Sequence, residues 1–278
     1  MRTRTKLRLV RLVQAPLTAA MRFAGSGPII GARRMGINWI LDLREGIDFS
    51  IWLLGAFERP VRNAYRRLVR PGMVALDVGA NIGAHTLPLA KLVGKEGLVV
   101  AFEPAAWAFD KLRANIAANP ELSGRIKIHQ TMLLCSEDAV VPPVIDASWP
   151  ITPSEEVRAD LRSAGKSTKG AVGMTLDRYM ESTGPGRVDF IKLDVDGYES
   201  DVLRGAQVTI ERFRPVIVIE VSPYIARERG NDIQDALSGL EKGRYRLFDL
   251  RGRKPLDVAQ LCRSIPVGAG RNVLMIPC

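Results

Sequence analysis

A chain of 278 residues that is 46% hydrophobic and 25% charged has the composition of an ordinary soluble globular protein and is long enough to bury a full core. Its three widely spaced cysteines exclude a disulfide framework and a cysteine zinc site, and they favour a reducing compartment. Most of the net charge of +10 belongs to residues 1–41, which hold eight basic and no acidic residues. The rest of the chain therefore lacks the basic, aromatic-rich surface of nucleic-acid enzymes.

Residues 1–70 are predicted to form a basic arm and a helical extension. The arm mixes leucine and valine with arginine, which is typical of an amphipathic helix on an anionic membrane and also of an organelle transit peptide. A leader or a helix that caps the domain is the third interpretation. Arg22 interrupts the apolar residues, which argues against a transmembrane helix. Trp39–Arg70 is predicted to be an amphipathic helix. The predicted location is the cytoplasm, with peripheral contact to the inner face of a membrane as an open alternative.

Alternating strands and helices follow from Met73. Five of the seven predicted strands contain consecutive apolar residues, as strands buried on both faces do. The alternation predicts a Rossmann-like α/β domain over residues 71–278, with a mostly parallel seven-stranded sheet between two layers of helices. The last two strands, with no clear helix between them, are expected at an antiparallel edge. The predicted strands are Val74–Val78, Leu98–Glu103, Ile126–Leu133, Val188–Val195, Val216–Val221, Tyr245–Leu250 and Val273–Ile276, and the predicted helices are His85–Val93, Trp107–Asn119, Glu199–Phe213 and Asp232–Lys242.

Residues 134–172 interrupt this alternation. The segment is rich in proline and contains the predicted loop Gly165-Lys-Ser-Thr-Lys-Gly170. It follows the third strand, and ligands bind outside the carboxyl ends of the strands in open α/β sheets. Long interruptions of this kind are functional or solvated. A lid that faces the substrate is predicted, and a solvated loop is the alternative.

The run Asp77-Val-Gly-Ala-Asn-Ile-Gly83 is typical of a nucleotide-binding turn between a strand and a helix. Gly79 can adopt the positive φ that a sharp turn needs, and Gly83 lets a ligand and the helix approach the backbone. The carboxylate of Asp77 can organise the turn and face a ligand ammonium group. The free amides at the helix start favour a ligand carboxylate. S-adenosylmethionine carries both of these groups at one end.

Glu103 ends the second strand twenty residues after Gly83. An acidic side chain at this position accepts hydrogen bonds from the two hydroxyls of a ribose. NAD and S-adenosylmethionine share this feature, so Glu103 alone does not separate them. Asp77 favours S-adenosylmethionine, because a negative charge beside the turn would oppose a pyrophosphate.

Several runs resemble the FkbM family of methyltransferases, in the family's order and spacing over about residues 70–225. They are Asp77–Thr86, Phe102–Pro104, Thr175–Asp177, Ile191–Glu199, Val202–Gly205 and Pro215–Glu220. The resemblance implies a class I, S-adenosylmethionine-dependent O-methyltransferase, of a family that commonly acts on sugar or polyketide hydroxyls. Asp196 and His85 depart from the family's more usual glutamate and aromatic residue. The arm and residues 134–172 lie outside the shared pattern, which leaves the acceptor open. The predicted cofactor-binding residues are Asp77, Gly79, Ala80, Asn81, Gly83, Thr86, Glu103, Pro104 and Met132.

Three side chains are candidate bases for removing a proton from the acceptor hydroxyl. Asp194 follows the fourth strand and ranks first, Glu220 ends the fifth strand and ranks second, and His85 ranks third. Each has a structural alternative: Asp194 and Asp196 can cap the next helix or hold the cofactor, Glu220 can form an ion pair, and His85 can position the loop. The carboxylates of Asp194, Asp196 and Glu220 are also oxygen ligands that magnesium accepts. No ligand spacing requires a metal, so none is predicted. His129, on an apolar strand, is predicted to be a core residue.

The sequence thus predicts an O-methyltransferase that uses S-adenosylmethionine and acts on a small-molecule or glycan acceptor, at a hydroxyl of a sugar, glycolipid or related metabolite. No nucleic acid is expected as a partner. Two alternatives stay open, an NAD-linked oxidoreductase on a Rossmann fold and a non-catalytic membrane-associated scaffold. Asp77 and the run Lys192–Gly197 count against the first. The intact set of glycines, together with Glu103 and Asp194, counts against the second.

Overall fold

The chain enters the fold through a hairpin and two helices. The computed structural model describes residues 27–151 and 163–278, so residues 1–26 of the predicted arm lie outside the described residues and its membrane contact stays a prediction. Strands β1 (Ile29–Arg34) and β2 (Ile37–Asp42) pair through a two-residue turn in which both residues have positive φ, as a tight hairpin requires. Helices α1 (Gly46–Leu54) and α2 (Arg59–Leu68) follow.

The single helix predicted from Trp39 to Arg70 is wrong. Trp39 lies in β2, where buried and exposed side chains alternate, which is the period of a half-buried strand. The two helices are separate because Gly55 ends α1 in the left-handed conformation, with a φ of 76°. Helix α2 begins with Arg59-Pro60, and proline is favoured in a first helical turn. The extension is thus a mixed α/β unit.

The remaining elements, in chain order, belong to the predicted α/β domain. They are β3 (Val74–Val78), α3 (Thr86–Val93), β4 (Leu98–Phe102), α4 (Ala106–Ala117), α5 (Pro120–Ser123), β5 (Ile126–His129), β6 (Thr131–Leu133), β7 (Val144–Ser148), β8 (Ala164–Ser167), β9 (Val172–Met174), α6 (Leu176–Ser182), β10 (Phe190–Leu193), α7 (Glu199–Arg204), α8 (Gln207–Phe213), β11 (Val216–Val221), α9 (Pro223–Glu228), α10 (Ile233–Lys242), β12 (Tyr245–Phe248), α11 (Val258–Ser264) and β13 (Arg271–Pro277).

The central sheet has seven strands, as predicted. Their spatial order is β12-β13-β11-β10-β3-β4-β5. Strands β5, β4, β3, β10 and β11 pair in parallel, while β13 is antiparallel to both β11 and β12. The predicted antiparallel edge is therefore present, and β13 is its inner strand. The connection before β13 does contain a helix, α11, whose first turn is capped by the side chain of Asp257.

Two predicted elements are divided in the structure. The third predicted strand becomes β5 and β6, and β6 leaves the sheet to pair with β9. The predicted helix Glu199–Phe213 becomes α7 and α8, which separate at Gly205. A Cβ at Gly205 would overlap the backbone oxygen of Leu134, so glycine permits this close approach to the loop after β6.

The extension shares a hydrophobic core with one face of the sheet. Tyr65 on α2 and Phe49 on α1 are buried in the same cluster as Ala75, Phe190 and Val218 of the sheet. The opposite face packs against α6, α7, α8, α10 and α11. Both faces are thus covered, and the extension lies beside the carboxyl edge of the sheet. Across residues 27–151 and 163–278, no helix has the length and apolar character needed to cross a membrane.

Candidate active site

Two glycines shape the turn that follows β3. Gly79 has a φ of 79°, and a Cβ there would overlap the backbone oxygen of Asp194. Gly83 has a φ of 91°, and a Cβ there would crowd a side chain of α4 at 2.9 Å. The backbone N–H groups of Gly79 and Ala80 both donate to the carbonyl of Phe102 at 3.0 Å. The turn therefore joins the carboxyl ends of β3, β4 and β10.

Asp77 is fully buried beneath this turn. Its Oδ2 accepts a hydrogen bond from the Thr86 hydroxyl at 2.6 Å. Its Oδ1 lies 3.8 Å from Lys192 Nζ and has no hydrogen-bond partner among the described residues. The carboxylate thus organises the turn, which is one of its two predicted roles. The geometry does not support direct contact with a ligand ammonium, because the side chain exposes none of its surface.

Lys192 places a buried positive charge at the site, which sequence analysis did not recognise. Its Nζ lies 3.3 Å from Asp194 Oδ2 and donates to the carbonyl of Gly79 at 3.2 Å. Burial alone would lower the pKa of the ammonium, but Asp194 and Asp77 outweigh burial and raise that pKa. Lys192 therefore stays charged and joins the two strand ends. A lysine inside the apolar run of β10 was the available signal.

Glu103 binds the backbone at the end of β4. Its Oε2 accepts from the N–H of Asn81 and its Oε1 from the N–H of Ala105, both at 2.8 Å. Burial raises the pKa of this carboxyl to about 7. Each oxygen keeps a second lone pair for a ribose hydroxyl, so the predicted role fits and stays a prediction. Pro104, which follows, and Met132 in β6, which contacts β4, are both buried.

Three carboxylates meet where β10 and β11 end. One oxygen from each of Asp194, Asp196 and Glu220 lies within 4.8 Å of the others. Burial, followed by the charge of Asp194, raises the pKa of both Asp196 and Glu220 well above the ordinary value. Asp196 has a φ of 49°, in the left-handed region. The structure brings together three oxygen donors that a divalent cation accepts. The absence of a metal requirement stays a prediction.

His85 lies between the turn and the extension. Its ring packs against Phe57 and Tyr65, with centroids 5.9 and 5.8 Å away, and is almost fully buried. Its Nε2 is 3.5 Å from Glu58 Oε2, and neither ring nitrogen has a hydrogen-bond partner among the described residues. Glu58 has a φ of 40°, and its Oε1 accepts from Asn272 Nδ2 at 3.0 Å. The extension therefore supplies a carboxylate to the third candidate base.

Sequence analysis missed Glu58, Tyr65 and Asn272. The first two fell within the predicted long helix, and the third adjoined the predicted last strand. Tyr65 is fully buried, and burial, with the charge of Asp77 next, raises the pKa of its hydroxyl. No motif marks these residues, because the packing of the extension on the sheet brings them to the site.

His129 lies at the end of β5, outside this group. It is half-buried, stacks on Phe102 with ring centroids 5.5 Å apart, and shares a hydrogen bond of 3.2 Å with the Tyr179 hydroxyl. Burial and the charge of Lys127 lower its pKa. The predicted core position is therefore only partly met, because His129 packs on Phe102 but lies half-buried on the edge strand of the sheet.

Strand β7 of the inserted segment ties three parts of the site together. Asn81 Nδ2, in the turn after β3, donates to the backbone of β7 at 2.9 Å. Asp146 in β7 forms a salt bridge of 2.6 Å with Arg229, which follows α9. The N–H of Gly46 in the extension donates to the carbonyl of Trp149 at 2.9 Å. The described part of the segment predicted as a lid therefore lies against the turn, α9 and the extension.

We expect the Asp146→Asn variant to release β7. The substitution leaves the half-buried guanidinium of Arg229 without its opposite charge, which is costly in a buried pair. Amide hydrogen exchange at residues 144–148 and 164–167 should accelerate, and bound cofactor should dissociate faster. The matched control is Asp138→Asn, an exposed carboxylate before β7. Unchanged exchange in Asp146→Asn would show that the salt bridge does not hold the strand.

Comparison with known proteins decides the family. Residues 77–247, more than half of the chain, match the model of the methyltransferase FkbM domain. The chain belongs to the FkbM family of methyltransferases. The match begins at Asp77 and extends into β12, so it includes the ends of β4, β10 and β11, where Glu103, Asp194 and Glu220 lie. Membership makes the protein an S-adenosylmethionine-dependent methyltransferase with the class I fold, and it sets aside the oxidoreductase and scaffold alternatives.

Similar proteins come from fungi and bacteria. Methyltransferase sdnD of Sordaria araneosa is 28% identical over 192 residues, which are 57% of this chain and 73% of that protein. Methyltransferase FkbM from Methylobacillus flagellatus KT aligns at 17% identity over 84% of this chain and 56% of its own, with a TM-score of 0.44. A SAM-dependent O-methyltransferase from Thermotoga maritima aligns at 15% identity over 91% of this chain and 79% of its own, with a TM-score of 0.44.

The charges of this FkbM methyltransferase fit its cofactor. S-adenosylmethionine carries a sulfonium and an ammonium group and supplies an electrophilic methyl group. Asp194, Asp196 and Glu220 face the same edge of the sheet, and Lys192 balances one of these charges. The remaining negative charge favours a cation in this half-buried place.

Proposed function

We propose that this methyltransferase transfers a methyl group to a hydroxyl of a sugar, a glycolipid or a related metabolite. The observation that carries the proposal is the carboxylate group of Asp194, Asp196 and Glu220, with the raised pKa of Glu220. A hydroxyl must lose its proton as it is methylated, and a base works best when its pKa lies near the working pH. Burial among negative charges raises the pKa of Glu220 and so brings it closer to the working pH.

Glu220 is the proposed base, and Asp194 is the proposed partner of the sulfonium. The acceptor oxygen forms a bond to the methyl carbon as the carbon–sulfur bond breaks, and its proton passes to Glu220. Asp194 is fixed by Lys192 at 3.3 Å, so its carboxylate has a set direction for this in-line displacement. His85, beside Glu58, is the remaining candidate base. Its side chain is more deeply buried than that of Glu220.

The test is methyl transfer from isotopically labelled S-adenosylmethionine to glycan and glycolipid fractions of cells that lack the gene. We expect a product heavier by one methylene group, with the label resistant to mild alkali, because a methyl ether resists hydrolysis and a methyl ester does not. Label that alkali releases would indicate a carboxylate acceptor. Label found only in nucleic acid or protein would also contradict the proposal.

A further inference from the structure

A cleft of about 390 Å³ opens beside the site, between α2, the loop after β12 and the start of β13. Three arginines line it, each from a different element: Arg67 from α2, Arg251 from the loop after β12, and Arg271 from the start of β13. Asp249 also lines it. The residues that line the cleft therefore include three arginines and one carboxylate.

The arginines keep their donors for a ligand. Within residues 27–151 and 163–278, none of the three forms a salt bridge with a carboxylate. Asp249 Oδ1 accepts instead from the backbone N–H groups of Arg253 and Lys254, at 3.0 and 3.3 Å. Arg67 Nη2 donates to the carbonyl of Leu250 at 2.5 Å, which fixes its direction and leaves its other N–H groups available. Guanidinium groups match the geometry of phosphate oxygens.

The inner wall of the cleft is also a wall of the methyl-transfer site. Asn272 lines the cleft and stands opposite Glu220 in the pairing of β13 with β11. Opposed residues of antiparallel strands lie about 5 Å apart and share one face of the sheet. Asn272 also donates to Glu58, the partner of His85. A ligand that fills the cleft would therefore lie next to the proposed base.

The two neighbouring regions have opposite charge. The transfer site carries a surplus of carboxylates and repels an anion, while the cleft carries a surplus of two positive charges. A phosphate monoester bears a charge of about −1.5 to −2 at neutral pH, which matches that surplus. An acceptor with a phosphate at one end would bind in a single direction, with its phosphate among the arginines and a hydroxyl at Glu220.

We propose that this cleft binds a phosphate group of the acceptor, so that the substrates are phosphorylated, hydroxyl-bearing molecules. The inference rests on the proposed function and narrows its substrate class. The phosphate comes either from a soluble sugar phosphate or from the headgroup of a lipid. Arg251 and Arg271 recognise the same chemistry in both cases.

Calorimetric titration of the full chain with glucose 6-phosphate, in the presence of S-adenosylhomocysteine, tests the cleft directly. We expect the wild type to bind this probe and not glucose. The double variant Arg251→Gln/Arg271→Gln should bind it at least about tenfold more weakly, because two charged donors to the phosphate are lost. Arg66→Gln is the matched control, an exposed arginine on α2 that does not line the cleft. Its affinity should equal that of the wild type.

A second arm uses sedimentation with phosphatidylcholine vesicles that contain or lack phosphatidylinositol. If the protein binds the soluble probe, the phosphate belongs to a free sugar phosphate. If it binds only the vesicles that contain phosphatidylinositol, and the double variant loses this binding, the phosphate belongs to a lipid headgroup. The proposal is overturned if neither probe binds, or if the double variant and the control behave alike. Titration with S-adenosylhomocysteine distinguishes failure of the phosphate proposal from failure of the proposed function. If the wild type binds S-adenosylhomocysteine but no phosphate probe, only the phosphate proposal fails. If the wild type does not bind S-adenosylhomocysteine, the proposed function itself is contradicted.

Discussion

Replacing Gly79 by alanine is expected to abolish cofactor binding. Gly79 has a φ of 79°, and alanine in the left-handed region costs about 1–2 kcal/mol. The added Cβ would also overlap the backbone oxygen of Asp194, where no flexible side chain can move aside. The ends of β3 and β10 would separate, and Lys192 could not bridge them as it does now. Titration with S-adenosylmethionine should show a loss of about a hundredfold or more, equal to nearly 3 kcal/mol.

Gly72→Ala separates the steric effect from the backbone effect. Gly72 has a φ of 82°, close to that of Gly79, but a Cβ there meets nothing within 4 Å. This variant should unfold at a slightly lower temperature and bind the cofactor as the wild type does. If Gly79→Ala is folded and binds S-adenosylmethionine normally, the turn after β3 is not the cofactor site.

The α/β domain could be predicted because its signals are local. The central strands β3, β4, β10 and β11 are mostly apolar runs, and Gly79 and Gly83 identify the turn within one short segment. The extension could not be predicted in the same way. Trp39, Phe49 and Trp52 fit a helical period as well as they fit a hairpin and two short helices. Positive φ at residues 35 and 36 decides between them, and only Gly36 indicates it in the sequence.

The site was predictable to the extent that its residues end predicted strands. Parallel strands bring their carboxyl ends to one edge, so Asp77, Glu103, Asp194 and Glu220 were expected there. Glu58 reaches the same edge from the extension, and nothing in its sequence surroundings marks it. Asp77 shows a second limit: the sequence places it near the end of β3, but its burial under the Thr86 hydroxyl depends on side-chain packing.

The Glu220→Gln variant is expected to lower kcat by about a hundredfold to ten-thousandfold, the usual contribution of a general base. Glutamine has nearly the same shape and removes a charge that Asp194 and Asp196 repel, so the unfolding temperature should not fall. Affinity for S-adenosylmethionine should change little, because Asp194, the proposed partner of the sulfonium, keeps its place beside Lys192. Glu211→Gln, an exposed carboxylate on α8, is the control and should behave as the wild type.

The pH profile separates a base from a structural carboxylate. A base must be ionised, so kcat of the wild type should rise with pH and level off above the pKa of Glu220. Burial, with the charges of Asp194 and Asp196, raises that pKa, so the rise should come at a higher pH than for an ordinary glutamate. Glu220→Gln should lose the rise entirely. If the rise persists in Glu220→Gln and disappears in Asp194→Asn or His85→Gln, the proton passes to that residue, and Glu220 shapes the acceptor pocket together with Asn272.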